Sequence, residues 1–218
     1  MDKTAAKSFA LKARAELTNL VIIQAANLGI TAEGIQKGKP LDDGIIVNGQ
    51  VFGPEMAKAY EHLVRRIEIS GYHEIMKEAI YTWFNRFVAL RFMEVHDYLP
   101  IQMRIFSSLT PGKKEPDAVT EVGQLIEELE LNRDLVYQMQ DAHNTEQLFK
   151  YVVEKQGRQL EEIIPQVFQE VERDFYLLLP DGLLREDGFI DQLVNMIPEE
   201  DWQEIEIIGW LYQYYISE

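Results

Sequence analysis

Cysteine is absent from the 218 residues, which excludes at once a disulfide scaffold, a thiolate zinc site, an iron–sulfur cluster and a cysteine nucleophile. A reducing, cytoplasmic setting is the expectation. Histidine is scarce: His62 and His73 fall on either side of a helix break, His96 closes a helix and His143 stands in a polar turn. No two have ligand spacing, so no metal site is expected. Long apolar runs are missing too, since the most apolar region, Ile75 to Val95, is interrupted by Lys77, Glu78, Asn85, Arg86, Arg91 and Glu94. The first residues, MDKTAAKSFALKARAEL, mix charges throughout and offer no cleavage site. Neither a membrane span nor a secretion signal is predicted. Nor is there a GxGxxG after a strand, a phosphate-cradling GxxxxGK[ST], a GxSxG or an HExxH, so the familiar catalytic and cofactor motifs are gone with them.

Positive charge is the other deficit. Lys and Arg number 21 against 37 Asp and Glu, a net charge of −16. Residues 1–109 are nearly balanced at +1, whereas residues 110–218 carry −17. Nucleic-acid affinity rests on cations displacing counterions from phosphates, so the second half is expected to face protein or solvent. Any DNA or partner contact falls to the few candidate cations Lys37, Lys39, Arg65, Arg66, Arg86 and Arg91.

What is present is helical periodicity, with 46% hydrophobic residues and enough length to bury roughly 70% of the unfolded surface. Phe9, Ala13, Leu17, Leu20, Val21 and Leu28 recur at three- and four-residue steps, predicting a helix over 4–28 that Gly29 ends. Ile45-Ile46-Val47 and Gln50-Val51-Phe52 flank Asn48-Gly49, the pair that supplies a type I′ turn, so a hairpin is predicted over about 45–52. Pro54 opens a helix to about Ile69, Gly71 breaks it, and a central helix runs over 72–97. Residues 99–116 read as an irregular crossing. Helices are then predicted over 117–131, 133–140, 144–156 and 158–179, with breaks at Asn132, Ala142 to Asn144 and Gly157 and a kink at Pro165. A short helix over 188–197 and a last one from Pro198 to the end complete the chain. The fold class is mostly α: a multi-helix single domain, 1–218, with one small β-hairpin. Residues 1–70 form helix, β-ribbon and helix, and 71–218 a helical core.

Candidate constellations divide between structure and function. The glutamates 127, 128 and 130, or 161 and 162, have no histidine at the spacing used by di-iron bundles, and read as solvated helix faces. Trp83, Phe84, Phe87 and Phe92 read as core. Arg86 and Arg91 lie in the most apolar helix, where a guanidinium is costly without a partner. Either they pair with carboxylates such as Glu94 or Glu68, or they reach a phosphate or an acidic surface. The last helix, with Tyr212, Tyr214 and Tyr215 on several sides, is expected to pack either within the domain or against something beyond residue 218.

Four strings go further: IYTWFNRFVALRFMEV at 80–95, FYLLLPDGLL at 175–184, LVNMIPEEDW at 193–202 and EIEIIGWLYQYYISE at 204–218. Together they resemble the N-terminal part of the PglX family, the large adenine-specific DNA methyltransferases of BREX phage-exclusion systems. The resemblance is strongest from Gly71 onward. It implies a parent enzyme that methylates adenine in DNA with S-adenosylmethionine, acting in the cytoplasm. It also implies that the catalytic domain, with its donor site and Asn-Pro-Pro-Tyr-type loop, lies downstream and is absent here. No catalytic, cofactor-binding or metal residue is therefore expected in these 218 residues. The implied partners are the chain's own downstream catalytic domain, DNA through the whole enzyme, and other phage-defence proteins. The competing reading is a free-standing acidic helical adaptor for a basic protein.

Overall fold

Helix α1 (Lys3–Asn27) is the first element of a computed structural model that describes residues 3–165, 168 and 173–216. It ends where Gly29 takes a positive φ of 70°, a conformation in which a side chain is strained. Two antiparallel pieces of sheet follow. Strands β1 (Ile30–Thr31) and β2 (Gly34–Ile35) form a ribbon, and β3 (Lys39–Leu41), β4 (Gly44–Val47) and β5 (Gln50–Phe52) form a three-stranded sheet in that order. The hairpin expected around Asn48-Gly49 is β4–β5, with φ of 47° and 82° at its two turn residues and Val47 opposite Gln50. The β1–β2 ribbon is an addition to the expectation, and so is strand β3. Its Pro40 is accommodated because β3 is an edge strand, where a missing amide hydrogen costs little.

Helices α2 (Pro54–Ser70) and α3 (Tyr72–Val95) are separated by Gly71, as the sequence predicts. After an irregular stretch come α4 (Asp117–Thr120), a 3-10 turn over Val122–Leu125, α5 (Arg133–Asp141) and α6 (Thr145–Ile163). The continuous helix expected over 117–131 is instead one α-turn, the 3-10 turn and further hydrogen-bonded turns. Gly157 does not break α6: a glycine inside a helix costs only about 1 kcal/mol, and the side of α6 that carries it is buried with Val153 and Leu160. That helix stops two residues before Pro165, where a pyrrolidine ring disfavours continuation. The expected 158–179 helix falls partly on residues 166, 167 and 169–172, outside the described residues; beyond them is the single turn α7 (Arg173–Tyr176). The chain closes with α8 (Phe189–Asn195), a 3-10 turn over Glu199–Gln203 and α9 (Glu206–Ile216). The last helix is thus divided at Glu204, which is extended.

The chain forms two compact units. The first comprises residues 1–16, 84–170 and 182–218, and the second residues 17–83 and 171–181. In the first, an aromatic series forms the interior: Phe9 stacks on Phe84, Phe84 on Tyr215 at 4.4 Å, Phe87 meets Phe189 at 5.0 Å and Phe106 at 5.8 Å, and Phe106 meets Phe149. Edge-to-face and offset contacts of this kind add about 1 kcal/mol each beyond area burial. In the second unit, Leu17, Val21 and Ala25 of α1 are buried, as are Ile45 and Val47 of β4 and Tyr60, Leu63, Val64 and Ile67 of α2. Trp83 is buried there as well; its indole N–H donates to the Phe175 carbonyl at 3.1 Å, and its ring meets Tyr176 edge-on. The Asn48 amide donates to the Ala26 and Asn27 carbonyls, tying the hairpin turn to the end of α1.

Candidate interaction surfaces

Four of the six candidate cations belong to the second unit. Arg66 projects from α2 and donates to both Glu78 oxygens at 2.9 Å and to Asp174 at 3.2 Å, while its guanidinium lies 4.6 Å over the Phe175 ring. Burial works against its charge, but Asp174 and Glu78 overcome that and raise its pKa. The fully buried Asp174 carboxylate also lies 3.3 Å from His62 Nδ1. Arg66 is accordingly an internal tie that joins α2, α3 and α7. Lys37 pairs with Glu68 at 2.6 Å, both groups being half-exposed or more. Arg65, three residues before Glu68, and Lys39 on β3 are exposed. Lys37, Lys39 and Arg65 are therefore the candidates with charge presented to solvent.

Arg86 and Arg91 lie in the first unit, and each meets a carboxylate. Arg91 is 1% exposed; it donates to Glu94 at 2.7 Å and to the Ser107 hydroxyl at 3.1 Å, and lies 3.4 Å from Glu199. Glu94, equally enclosed, also accepts from the Phe106 and Ser107 amides at 2.8 and 3.0 Å. Arg104 reaches the other oxygen of Glu199 at 2.9 Å. Arg86 pairs with Glu161 and lies over the Phe168 ring at 5.2 Å. The Arg91–Glu94 pair is readable from the sequence, being three residues apart on one helix. Arg104, Glu161 and Glu199 come from remote segments, and no local spacing signals them.

One cleft of about 630 Å³ opens in the first unit, between the 106–114 loop and the 184–195 segment. Ser107, Ser108, Lys113, Lys114, Arg185 and Glu186 supply its polar lining. Its cations are engaged: Lys113 with Asp117 at 2.8 Å, Lys114 with Glu186 at 2.7 Å and Arg185 with Glu16 at 2.8 Å. Asp117 also accepts from the Ser108 hydroxyl and the Leu109 amide. Burial alone would raise its pKa; the bonds from Lys113, Ser108 and Leu109 outweigh that and lower it. The sequence shows this loop only as an irregular crossing, because its partner across the cleft, as in the Lys114–Glu186 pair, is 72 residues further along the chain. Among the described residues no group of three or more histidine, aspartate or glutamate side chains is placed to hold a metal, and no helix is long and apolar enough to cross a membrane.

The chain matches no family model. It is 36% identical over 225 aligned positions to the adenine-specific methyltransferase BrxX of Escherichia coli O9:H4 (strain HS), an alignment that takes in 100% of the chain and 19% of BrxX. It is 31% identical over 242 positions to the adenine-specific methyltransferase PglX of Lacticaseibacillus casei (strain Zhang), covering 100% of the chain and 20% of PglX. The match lies in the N-terminal region of these proteins, and the chain spans about a fifth of their length.

Proposed function

We propose that this chain is the N-terminal helical domain of an adenine-specific DNA methyltransferase of the PglX type, and that within the enzyme it is a scaffold rather than a catalytic part. The observation that carries this reading is the similarity along the whole chain to one fifth of two much longer methyltransferases. The fold agrees with it. Its sheets have two and three antiparallel strands, whereas dinucleotide-type ligands favour the crevice at the carboxyl ends of a parallel sheet. The parent's S-adenosylmethionine and its flipped adenine then belong to the region beyond residue 218. The phage-defence setting, and docking of other defence proteins, follow from the same kinship. Contact with DNA by this domain, where it occurs, falls to Lys37, Lys39 and Arg65, which are exposed although Lys37 pairs with Glu68, whereas Arg66, Arg86 and Arg91 are largely enclosed with their carboxylates.

The test begins with the gene. The reading frame is expected to continue past codon 218 into a donor loop and an Asn-Pro-Pro-Tyr-type motif, and the full product to methylate adenine. S-adenosylmethionine should raise the melting temperature of that product and leave the 218-residue chain unchanged. A stop codon after Glu218 would overturn the reading as a whole. A saturable shift of the short chain would overturn the assignment of the donor site to the downstream region.

A further inference from the structure

Helix α9 is apolar apart from Glu206 and Gln213, which are exposed, and only part of its apolar surface is covered. Ile207, Leu211 and Tyr215 are buried, with Tyr215 stacked on Phe84. Trp210 lies beneath the Lys3 ammonium at 3.9 Å and stacks on Tyr214. On the other side Ile205, just ahead of the helix, is 70% exposed, Tyr212 44% and Ile216 56%. Gly209 is exposed between them. A helix apolar all round is normally enclosed by neighbours, so this side stands out from the rest of the first unit.

The spacing of the exposed side specifies its complement. Residues 205, 209, 212 and 216 step by four, three and four, the seam along which two helices lie at a shallow angle. A Cβ added at Gly209 would meet nothing within 4 Å, so a facing helix can approach closely at the middle of the seam. Glu200, Glu204 and Glu206 are exposed along it, and the stretch 199–216 contains no lysine or arginine. A complementary helix would bring an apolar stripe bordered by basic residues.

We infer that the Ile205–Gly209–Tyr212–Ile216 stripe seats a helix of the polypeptide that follows residue 218 in a chain as long as its relatives. This rests on the reading given under Proposed function. Relatives about five times as long place a large body of chain after this region. A tethered segment meets the stripe at an effective concentration on the order of millimolar. A second copy of this chain lacks that advantage, and two molecules of charge −16 repel one another.

The experiment compares hydrogen exchange of α9 in the full-length protein and in the 218-residue chain, each also carrying I205K/I216K. Amides of 205–216 are expected to exchange at least about tenfold more slowly in the full-length protein. The double substitution should abolish that difference and leave the short chain's exchange and melting temperature unchanged, since both side chains are exposed there. Equal exchange in the two lengths would overturn the inference while an open frame with methyltransferase activity left the function standing. A frame that stops at codon 218 would overturn both. Concentration-dependent protection in the short chain, with a dimer in sedimentation, would assign the stripe to self-association and overturn the inference.

Discussion

Glu94 accepts from two backbone amides and the Ser107 hydroxyl while it pairs with Arg91. Removing it leaves the buried guanidinium only the Ser107 hydroxyl and the longer contact to Glu199, and orphans two backbone amides, so Glu94→Ala is expected to destabilise by about 3–5 kcal/mol. Adding Arg91→Met to Glu94→Leu removes the uncompensated guanidinium and should recover part of the loss, measured by denaturant unfolding. A double variant less stable than Glu94→Leu alone would refute that. Asp117 gives a pH-dependent counterpart. Its pKa is lowered on folding, so its contribution is complete above the unfolded value of about 4 and is lost as pH falls through the folded one. Asp117→Asn should therefore lower the melting temperature at pH 7, by the loss of about 1–3 kcal/mol, with a gap that closes in acid. A gap constant from pH 7 to pH 2 would disprove the linkage. At this scale the sequence was legible where partners are local. It leaves open a carboxylate such as Glu94 or Glu68, or a phosphate or acidic surface, for the arginines of α3; Arg91 meets Glu94, Glu68 pairs with Lys37 instead, and Glu161 and Glu199 meet their arginines through tertiary folding alone.

Gly29 ends α1 with φ of 70°, and a Cβ there would sit 2.6 Å from the Gln36 carbonyl oxygen, whose residue also donates its amide to the Gly29 carbonyl. Gly29→Ala combines left-handed strain with a backbone clash and should destabilise by more than about 1 kcal/mol, read as a lower urea midpoint. An unchanged midpoint would contradict it. Elements declared by punctuation were the legible ones: Gly29, Asn48-Gly49, Pro54 and Gly71 each stand where the sequence places a boundary. Less legible were elements that local signals oppose or barely mark. Strand β3 contains a proline, the paired strands β1 and β2 have two residues each, and α6 runs through Gly157 because its burial outweighs the glycine's helix penalty.

Over the whole molecule the net charge of −16 opposes phosphate more strongly than Lys37, Lys39 and Arg65 attract it. The 218 residues alone are expected not to retain duplex DNA at about 0.15 M salt. Retention that weakens in Lys39→Glu with Arg65→Glu would show instead that this domain grips the backbone. Fold class was legible because helical periodicity runs through nearly the whole chain. The functional reading rests on long aromatic strings, since none of the familiar catalytic motifs stands among these residues. Those strings also fix the chain's optical behaviour. Trp83 and Trp202 are about 1% exposed or less, while Trp210 is half-buried under Lys3 at the edge of α9. A neutral collisional quencher such as acrylamide should extinguish one red-shifted emission component and spare two blue ones, giving the last helix a natural fluorophore that reports, without any label, when that edge is shielded from water.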